Sequence, residues 1–234
     1  MKSTIEDKTK LVNSVFSRVY KKYDLMNDIM SLGVHRIWKN KLIDWMNPQL
    51  NQNLIDVASG TGDIAKLFSK KNNNSTQITC VEPNDEMYFA GKSNLENFKN
   101  IKWYKAKAEK LPFKNDTYDF YTISYGIRNV SDINLSLKEA LRVLKPGGRF
   151  MCLEFSKIDN EMINLIYQKY SKIIPFVGKY IVGSSKPYDY LIKSINEFYS
   201  QDELANLIKN NGFSNVEYRN LSNGISAIHS GWKI

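Results

Sequence analysis

One stretch of this 234-residue chain decides its fold: Leu54-Ile55-Asp56-Val57-Ala58-Ser59-Gly60-Thr61-Gly62-Asp63. An apolar run passes into a turn with two glycines, and apolar residues then recur at helical spacing, which predicts a strand, a tight loop and a helix. Gly60 and Gly62 lack a Cβ, so the loop can adopt positive φ and a ligand can approach the backbone at the start of the helix. A dinucleotide fingerprint needs a third glycine where this chain has Ala65. The loop therefore indicates an adenosine-containing ligand without a pyrophosphate.

A carboxylate twenty residues further along supports the same ligand. Glu82 follows the apolar run Ile78-Thr79-Cys80-Val81, and an acidic side chain at such a strand end can accept hydrogen bonds from both ribose hydroxyls of an adenosine. The alternative is a charged side chain that points into water. Asp56, Gly60, Gly62 and Glu82 together resemble the S-adenosylmethionine site of class I methyltransferases.

Strand and helix patterns alternate after Asn53, which predicts an α/β fold with a mostly parallel sheet between layers of helices. Strands are expected near residues 54–58, 77–82, 101–106, 118–124 and 149–155. Helices are expected near residues 62–71, 84–96 and 133–144, with further helices over 9–47 and 160–210. The run Lys145-Pro146-Gly147-Gly148 is expected to stop the helix before it. Two last strands, near 213–219 and 223–230, flank the turn-prone Ser222-Asn223-Gly224.

Length and composition limit the class of protein. One domain is expected over residues 1–234, with a helical N-terminal lid (1–50), a cofactor-binding half (51–156) and a substrate-side region with the last two strands (157–234). No apolar run approaches the roughly 20 residues of a spanning helix, and an apolar signal segment is missing at the N-terminus, so a cytoplasmic location is expected. Cys80 and Cys152 fall in expected core strands without a Cys/His cluster, which predicts buried reduced thiols and no metal site.

The formal net charge of +9 would suit an anionic partner such as nucleic acid or a lipid surface. Only six of the basic residues are arginine and the lysines are scattered, so groups that bind phosphate bidentately are few and no nucleic-acid partner is expected. The apolar stretch from Ile173 to Val182, with Lys172 and Lys179, is expected to rest on the anionic inner face of a membrane. The alternative is an ordinary buried helix and turn.

Two long motifs resemble those of the ubiquinone/menaquinone biosynthesis C-methyltransferase family. The first runs from Tyr23 to Trp38 and the second from Arg142 to Ser156. Between them, residues 108–113 and 123–130 also look like this family, so the resemblance covers about residues 11 to 234. It implies a Rossmann-like class I methyltransferase fold that ends in an antiparallel hairpin. The implied reaction moves a methyl group from S-adenosylmethionine to a ring carbon of a polyprenylated benzoquinol or naphthoquinol, without a metal.

The resemblance also assigns cofactor positions. They fall on Thr61, Glu82, Lys107, Ala108 and Ser124. Ser59 stands where a glycine is common, and Glu82 where aspartate is usual. Lys107 replaces an Asn or Asp that accepts from the adenine amino group, and an ammonium has no lone pair to offer. We therefore expect Lys107 to turn outward and leave adenine to the backbone of Ala108.

The implied chemistry depends on positioning and electrostatics, because a ring carbon becomes nucleophilic only when an adjacent hydroxyl loses its proton. Arg128 and Asn129 follow the strand that carries Ser124, and we expect them to face the reacting methyl group. The alternative for Arg128 is an ion pair with a nearby carboxylate. Tyr23 is expected to act in catalysis and, with Asp24 and Asn27, to close over the cofactor; the alternative for Asp24 and Asn27 is helix capping. His35 is more often structural than catalytic when it stands alone.

Two other functions remain open from the sequence. The charge would suit an RNA methyltransferase, although an N-methylating enzyme of that type would carry Asn-Pro-Pro-Tyr where this chain has Ser124-Tyr125-Gly126-Ile127. A catalytically silent scaffold of a quinone-synthesis complex is the second. Besides the quinol, the expected partners are a second copy of the chain in a homodimer, or such a complex.

Overall fold

The computed structural model describes residues 12, 14, 15, 17, 23–73, 75–158, 160–162, 164, 165, 167–170 and 186–234. The strands are β1 (Leu54–Val57), β2 (Ile78–Val81), β3 (Ile101–Tyr104), β4 (Tyr118–Ser124), β5 (Leu144–Phe155), β6 (Ser214–Leu221) and β7 (Ser226–Trp232). The helices are α1 (Tyr23–Ser31), α2 (His35–Met46), α3 (Asp63–Lys71), α4 (Asp85–Asn94), α5 (Ile133–Val143), α6 (Lys186–Asn196) and α7 (Gln201–Asn210). A short 3₁₀ turn spans Ile127–Asn129. The alternation of strands and helices predicted from the sequence is confirmed.

The seven strands form one sheet in the order β3-β2-β1-β4-β5-β7-β6. Strands β1 to β5 pair in parallel, and β7 is antiparallel to both β5 and β6. This confirms the predicted mostly parallel sheet with an antiparallel C-terminal hairpin. The strand order reverses between β1 and β4, and in open sheets of this kind ligands bind in the crevice outside the carboxyl ends at that point.

The start of β5 differs from the expectation based on the sequence, whereas the turn between β6 and β7 agrees with it. Residues 145–148, expected only to stop the preceding helix, belong to β5, because the backbone there pairs with the chain end: the N–H of Gly147 donates to Lys233 O at 2.7 Å and the N–H of Lys233 to Gly148 O at 3.0 Å. The hairpin turn lies where predicted, with positive φ at Ser222, Asn223 and Gly224.

The core lies on both faces of the sheet. All four side chains of β1 are buried, and the largest fully buried side chains include Phe68 on one side and Tyr121 and Phe150 on the other. Cys80 and Cys152 are buried free thiols, as predicted, and burial raises the pKa of each well above its ordinary value.

Helix α2 is fixed against the C-terminal part of the sheet at two points. The Nε1–H of Trp38 donates to Ser222 Oγ at 3.0 Å. The ring of Trp45 stacks with the guanidinium groups of Arg149 and Arg219, whose Cζ atoms lie 4.9 and 4.0 Å from its centre. Cation–π contacts of this kind stabilise exposed sites by about 0.5–1 kcal/mol each, so α2 has a defined position over the sheet.

The described part of the chain contains no helix long and apolar enough to cross a membrane. The stretch from Ile173 to Val182, expected at a membrane surface, lies outside the described residues.

Candidate active site

The glycine loop begins where β1 ends, and its backbone needs positive φ at Ala58 (+53°), Gly60 (+55°) and Gly62 (+90°). Ser59, which replaces a common glycine, ties β1 to β2: its hydroxyl donates to Asp56 O at 2.6 Å and accepts from the N–H of Val81 at 3.1 Å. The substitution therefore adds two hydrogen bonds to the loop.

Gly62 has a packing reason to be glycine. A Cβ at this position would lie 2.5 Å from Leu95 Cδ1 and 3.1 Å from Trp103 Cζ2. Gly62 thus faces the contact between the loop and these two apolar side chains. Its predicted role in binding the cofactor remains a prediction.

Glu82 does not point into water, so the alternative weighed for it is wrong. The side chain is 6% exposed, and its two oxygens accept from the N–H of Gly60 and of Asn84, both at 2.9 Å. Burial raises the pKa of Glu82 to about 7, against the effect of these two hydrogen bonds. Each carboxylate oxygen has a second lone pair, so Glu82 can still accept hydrogen bonds from a ligand.

A cavity of about 130 Å³ opens beside Glu82. Four residues predicted to bind the cofactor line it: Gly60, Glu82, Lys107 and Ala108. Lys107 is exposed and Ala108 is buried, which agrees with the expected outward turn of the lysine. Met87 and Val130 add apolar wall. The combination of an acceptor pair with apolar walls suits an adenosine.

A smaller cavity of about 20 Å³ lies on the other side of Gly60. It is lined by three further predicted cofactor residues, Asp56, Thr61 and Ser124, and also by Lys39 and Asp63, which the sequence analysis did not identify. Ala58, Gly60 and Tyr125 line both cavities. The predicted cofactor residues therefore divide into two groups that meet at Gly60.

Two polar atoms of the smaller cavity have no hydrogen-bond partner in the described part of the chain. Asp56 is 1% exposed; its Oδ1 accepts from Thr122 Oγ1 at 2.7 Å. Neither Asp56 Oδ2 nor Ser124 Oγ has a hydrogen-bond partner among the described residues. Burial raises the pKa of Asp56 to about 7. Because buried polar atoms are normally satisfied, these two indicate a polar ligand group.

Arg128 forms an ion pair with a nearby carboxylate, which was the alternative to its facing the reacting methyl group. The side chain is buried, and its Nη1 donates to Glu154 Oε1 and, at 3.0 Å, to Tyr125 O. Burial raises the pKa of Glu154, although Arg128 opposes the shift. The charge of Arg128 is therefore already met by Glu154. Within the described part of the chain, Arg128 Nε and Glu154 Oε2 have no partner.

Asn129 lines the larger cavity, and sequence reasoning missed its partner. The hydroxyl of Tyr190 on α6 donates to Asn129 Oδ1 at 2.9 Å, which orients the amide. No sequence pattern joins two residues 61 positions apart. Tyr23, the third predicted catalytic residue, begins α1, but its side chain and that of Asp24 lie outside the described residues.

His35 is structural in this geometry. Its Nε2 lies 2.8 Å from Asp28 Oδ1, and burial lowers its pKa. A hydrogen bond from Arg36 holds the pKa of Asp28 at about 2. Across the described ranges, no three of His, Cys, Asp and Glu are grouped to hold a metal ion.

Comparison with known proteins gives one family and a common fold. The model of the ubiE/COQ5 methyltransferase family matches residues 2–233. The ubiquinone/menaquinone biosynthesis C-methyltransferase UbiE of Rickettsia bellii is 50% identical over 235 residues, which cover 97% of this chain and 94% of that protein. The UbiE of Rickettsia prowazekii is 50% identical over 231 residues, covering 96% and 93%.

Solved structures of more distant proteins share the fold. A methyltransferase from Thermotoga maritima, described as a possible histamine N-methyltransferase, aligns with a TM-score of 0.67 at 20% identity, over 94% of this chain and 99% of that one. A second, from Aquifex aeolicus, aligns with a TM-score of 0.64 at 15% identity, over 89% and 97%. Both are described as dependent on S-adenosylmethionine.

Proposed function

The chain belongs to the ubiE/COQ5 methyltransferase family, and we propose that it methylates a ring carbon of a polyprenylated quinol with S-adenosylmethionine as donor. It is an S-adenosylmethionine-dependent C-methyltransferase: its relatives at 50% identity are named C-methyltransferases, and the structures that share its fold are described as dependent on S-adenosylmethionine. The observation that carries the proposal is the pair of cavities that meet at Gly60, one beside the Glu82 carboxylate and one beside Asp56.

The residues fit the cofactor in two parts. Glu82 offers acceptors for the ribose hydroxyls, and Lys107 and Ala108, which also line the larger cavity, could contact adenine through their backbone. Asp56, Thr61 and Ser124 offer polar atoms for the amino-acid end, and the unpaired Asp56 Oδ2 and Ser124 Oγ gain partners there. When bound, this cofactor supplies a methyl group activated by a sulfonium.

For the quinol side of the site we propose residues near the carboxyl ends of β4 and β5; Asn129 lines the larger cavity, whereas the buried Arg128 and Glu154 are not among the lining residues of either cavity. Asn129, oriented by Tyr190, faces the larger cavity and can hold a ring oxygen. Arg128 is fixed by Glu154, and its free Nε–H can donate to the ring oxygen as negative charge develops. The unpaired Oε2 of Glu154 can accept the proton of the ring hydroxyl. Its raised pKa makes it a stronger base than an ordinary carboxylate. Tyr23 stays a predicted catalytic residue, since its side chain lies outside the described residues.

The reaction then balances without a covalent enzyme intermediate. Glu154 would take the hydroxyl proton, and electron density would move to the neighbouring ring carbon, which would form a bond to the methyl carbon as the bond from methyl to sulfur breaks. The ring carbon would then lose its own proton to solvent water, which restores aromaticity, and Glu154 would return its proton to the ring oxygen, so that one proton is released in each turnover.

The test is methylation of defined quinols. The protein is incubated with S-adenosylmethionine and one quinol that lacks the ring methyl group, either a polyprenylated benzoquinol or a polyprenylated naphthoquinol, in separate reactions. The mass of the product is measured by mass spectrometry. We expect one added methyl group on at least one quinol. The oxidised quinones are the matched control, because they have no hydroxyl proton to lose and should not react. Methylation of neither quinol by a protein that still binds S-adenosylhomocysteine would refute the substrate assignment.

A further inference from the structure

Lys39 is a buried cation at the smaller cavity. The residue is 5% exposed and lies on α2, outside the sheet and the glycine loop. Its Nζ donates to Asp63 Oδ2 at 2.6 Å. An ammonium carries three N–H donors, and in the described part of the chain Asp63 is the acceptor that Lys39 has. Two donors are therefore left at the wall of the cavity.

The position of this cation is determined by α2. Trp38, its neighbour in the helix, donates a hydrogen bond to Ser222, and the ring of Trp45 makes cation–π contacts with two arginines. Burying a charge is unfavourable unless partners compensate for the lost water. The fold thus holds an ammonium with two open donors against the first residue of α3, and the ion pair with Asp63 compensates for only part of that burial.

The two cavities indicate which part of a ligand reaches Lys39. The larger, at about 130 Å³, takes the bulky adenosine beside Glu82, while the smaller, at about 20 Å³, has room for a compact group. Because Gly60 lines both, we take the two cavities as neighbouring parts of one ligand site. In the smaller cavity the ligand meets a cation, Lys39, and two acids, Asp56 and Asp63. Charges of both signs in so small a space match a zwitterion.

We propose that Lys39 binds the α-carboxylate at the amino-acid end of S-adenosylmethionine, with Asp63 holding the lysine ammonium in place and the unpaired Asp56 Oδ2 accepting from the α-ammonium. The inference rests on the proposed function and adds to it the residue that recognises this end of the cofactor. Burial works to raise the pKa of Asp63, but Lys39, His35 and Arg36 outweigh it and hold the pKa below its ordinary value. Asp63 therefore stays ionised as the anchor of Lys39.

The proposal makes Lys39 a selectivity residue. S-adenosylhomocysteine carries the amino-acid end, whereas 5′-methylthioadenosine has the same adenosine and sulfur without it. The two ligands therefore differ in the group that Lys39 would hold. Loss of Lys39 should therefore lower the affinity for S-adenosylhomocysteine and leave the affinity for 5′-methylthioadenosine nearly unchanged.

The experiment compares both ligands by titration calorimetry on the wild type and on Lys39→Met. A hydrogen bond to a charged group changes affinity by about 10- to 100-fold. We therefore expect the affinity of Lys39→Met for S-adenosylhomocysteine to fall by about that factor, and its affinity for 5′-methylthioadenosine to fall by less than about twofold. Lys66→Met is the matched control, since Lys66 is an exposed lysine of α3, and both affinities should stay as in the wild type. The double variant Lys39→Met/Asp63→Asn also removes the carboxylate that Lys39→Met leaves without its ion-pair partner, and it should show the same loss of selectivity between the two ligands.

Three results would contradict either the role of Lys39 or the proposed function on which it depends. Equal weakening of both ligands in Lys39→Met and in the double variant would overturn the proposal, because the lysine would then support the fold alone. Unchanged affinity for S-adenosylhomocysteine would also overturn it. A wild type that binds neither ligand would instead refute the proposed function, on which the assignment of Lys39 depends.

Discussion

Replacing Glu82 by glutamine keeps the size of the side chain and removes half of its acceptors. The carboxylate accepts from the N–H groups of Gly60 and Asn84 at 2.9 Å each, whereas an amide has one oxygen, so one of these donors would face an NH₂ group. A ribose hydroxyl loses its acceptor on the same side. A hydrogen bond to a charged group is worth about 1.5–3 kcal/mol. We therefore expect the affinity for S-adenosylhomocysteine to fall by about 10- to 150-fold.

The pH dependence of the wild type follows from the raised pKa of Glu82. Burial raises it to about 7, from an ordinary value of 4.5. Folding then favours the protonated form, so the contribution of this group to the free energy of unfolding is fully present below about pH 4.5 and is lost as the pH rises through about 7. Ligand hydroxyls donate best to the ionised form. The affinity of the wild type should therefore increase between about pH 5 and about pH 8, and that of Glu82→Gln should change less.

The assay is calorimetric titration with S-adenosylhomocysteine at several pH values, with circular dichroism to verify folding. Glu96→Gln is the matched control, because Glu96 is an exposed glutamate beyond the end of α4, and its affinity and pH profile should equal those of the wild type. An unchanged affinity in folded Glu82→Gln would remove Glu82 from the site. A flat pH profile in the wild type would refute the link between burial of this carboxylate and binding.

Three further changes test other parts of the site. Gly62→Ala should lower the free energy of unfolding in urea by about 1–3 kcal/mol more than Gly147→Ala, since both have positive φ but only the first would clash, with Leu95; equal losses would contradict the packing role. Arg128→Met should destabilise by about 3–5 kcal/mol by leaving Glu154 buried and unpaired, and adding Glu154→Gln should recover much of that loss; no recovery would mean that the pair is not the cause. Glu154→Gln should lower turnover by about 100-fold or more while S-adenosylhomocysteine binding stays; an unchanged rate would exclude Glu154 as the base.

Local patterns in the sequence predicted the parts of the site that are close together along the chain. The strand, loop and helix around Gly60 follow from apolar spacing and two glycines, and Glu82 follows from its place after β2. These elements form where their own periodicity directs them. The position of Ser222-Asn223-Gly224 was predictable for the same reason, because a tight turn with positive φ selects such residues.

Contacts between distant residues could not be predicted in this way. Lys39 looks in sequence like any lysine of an amphipathic helix, and only packing of α2 on α3 brings it to Asp63. The partner of Arg128 lies 26 residues away on β5, and that of Asn129 lies 61 residues away on α6. The ion pair of Arg128 was weighed as an alternative, but its partner could not be named, since strand pairing rather than sequence spacing places Glu154 beside β4.

Three buried carboxylates explain how this sheet edge can bind both the cofactor and a quinol. Asp56, Glu82 and Glu154 lie at or just beyond the carboxyl ends of β1, β2 and β5, and burial raises the pKa of each. Each also retains acceptor capacity, as unpaired oxygens on Asp56 and Glu154 and as second lone pairs on Glu82. An acid buried in this way is most stable when protonated or when it receives a donor, and in the proposed function the ammonium, the ribose hydroxyls and the ring hydroxyl are three such donors. On that proposal, the same burial that weakens the ligand-free fold as the pH rises would favour binding of the ligands.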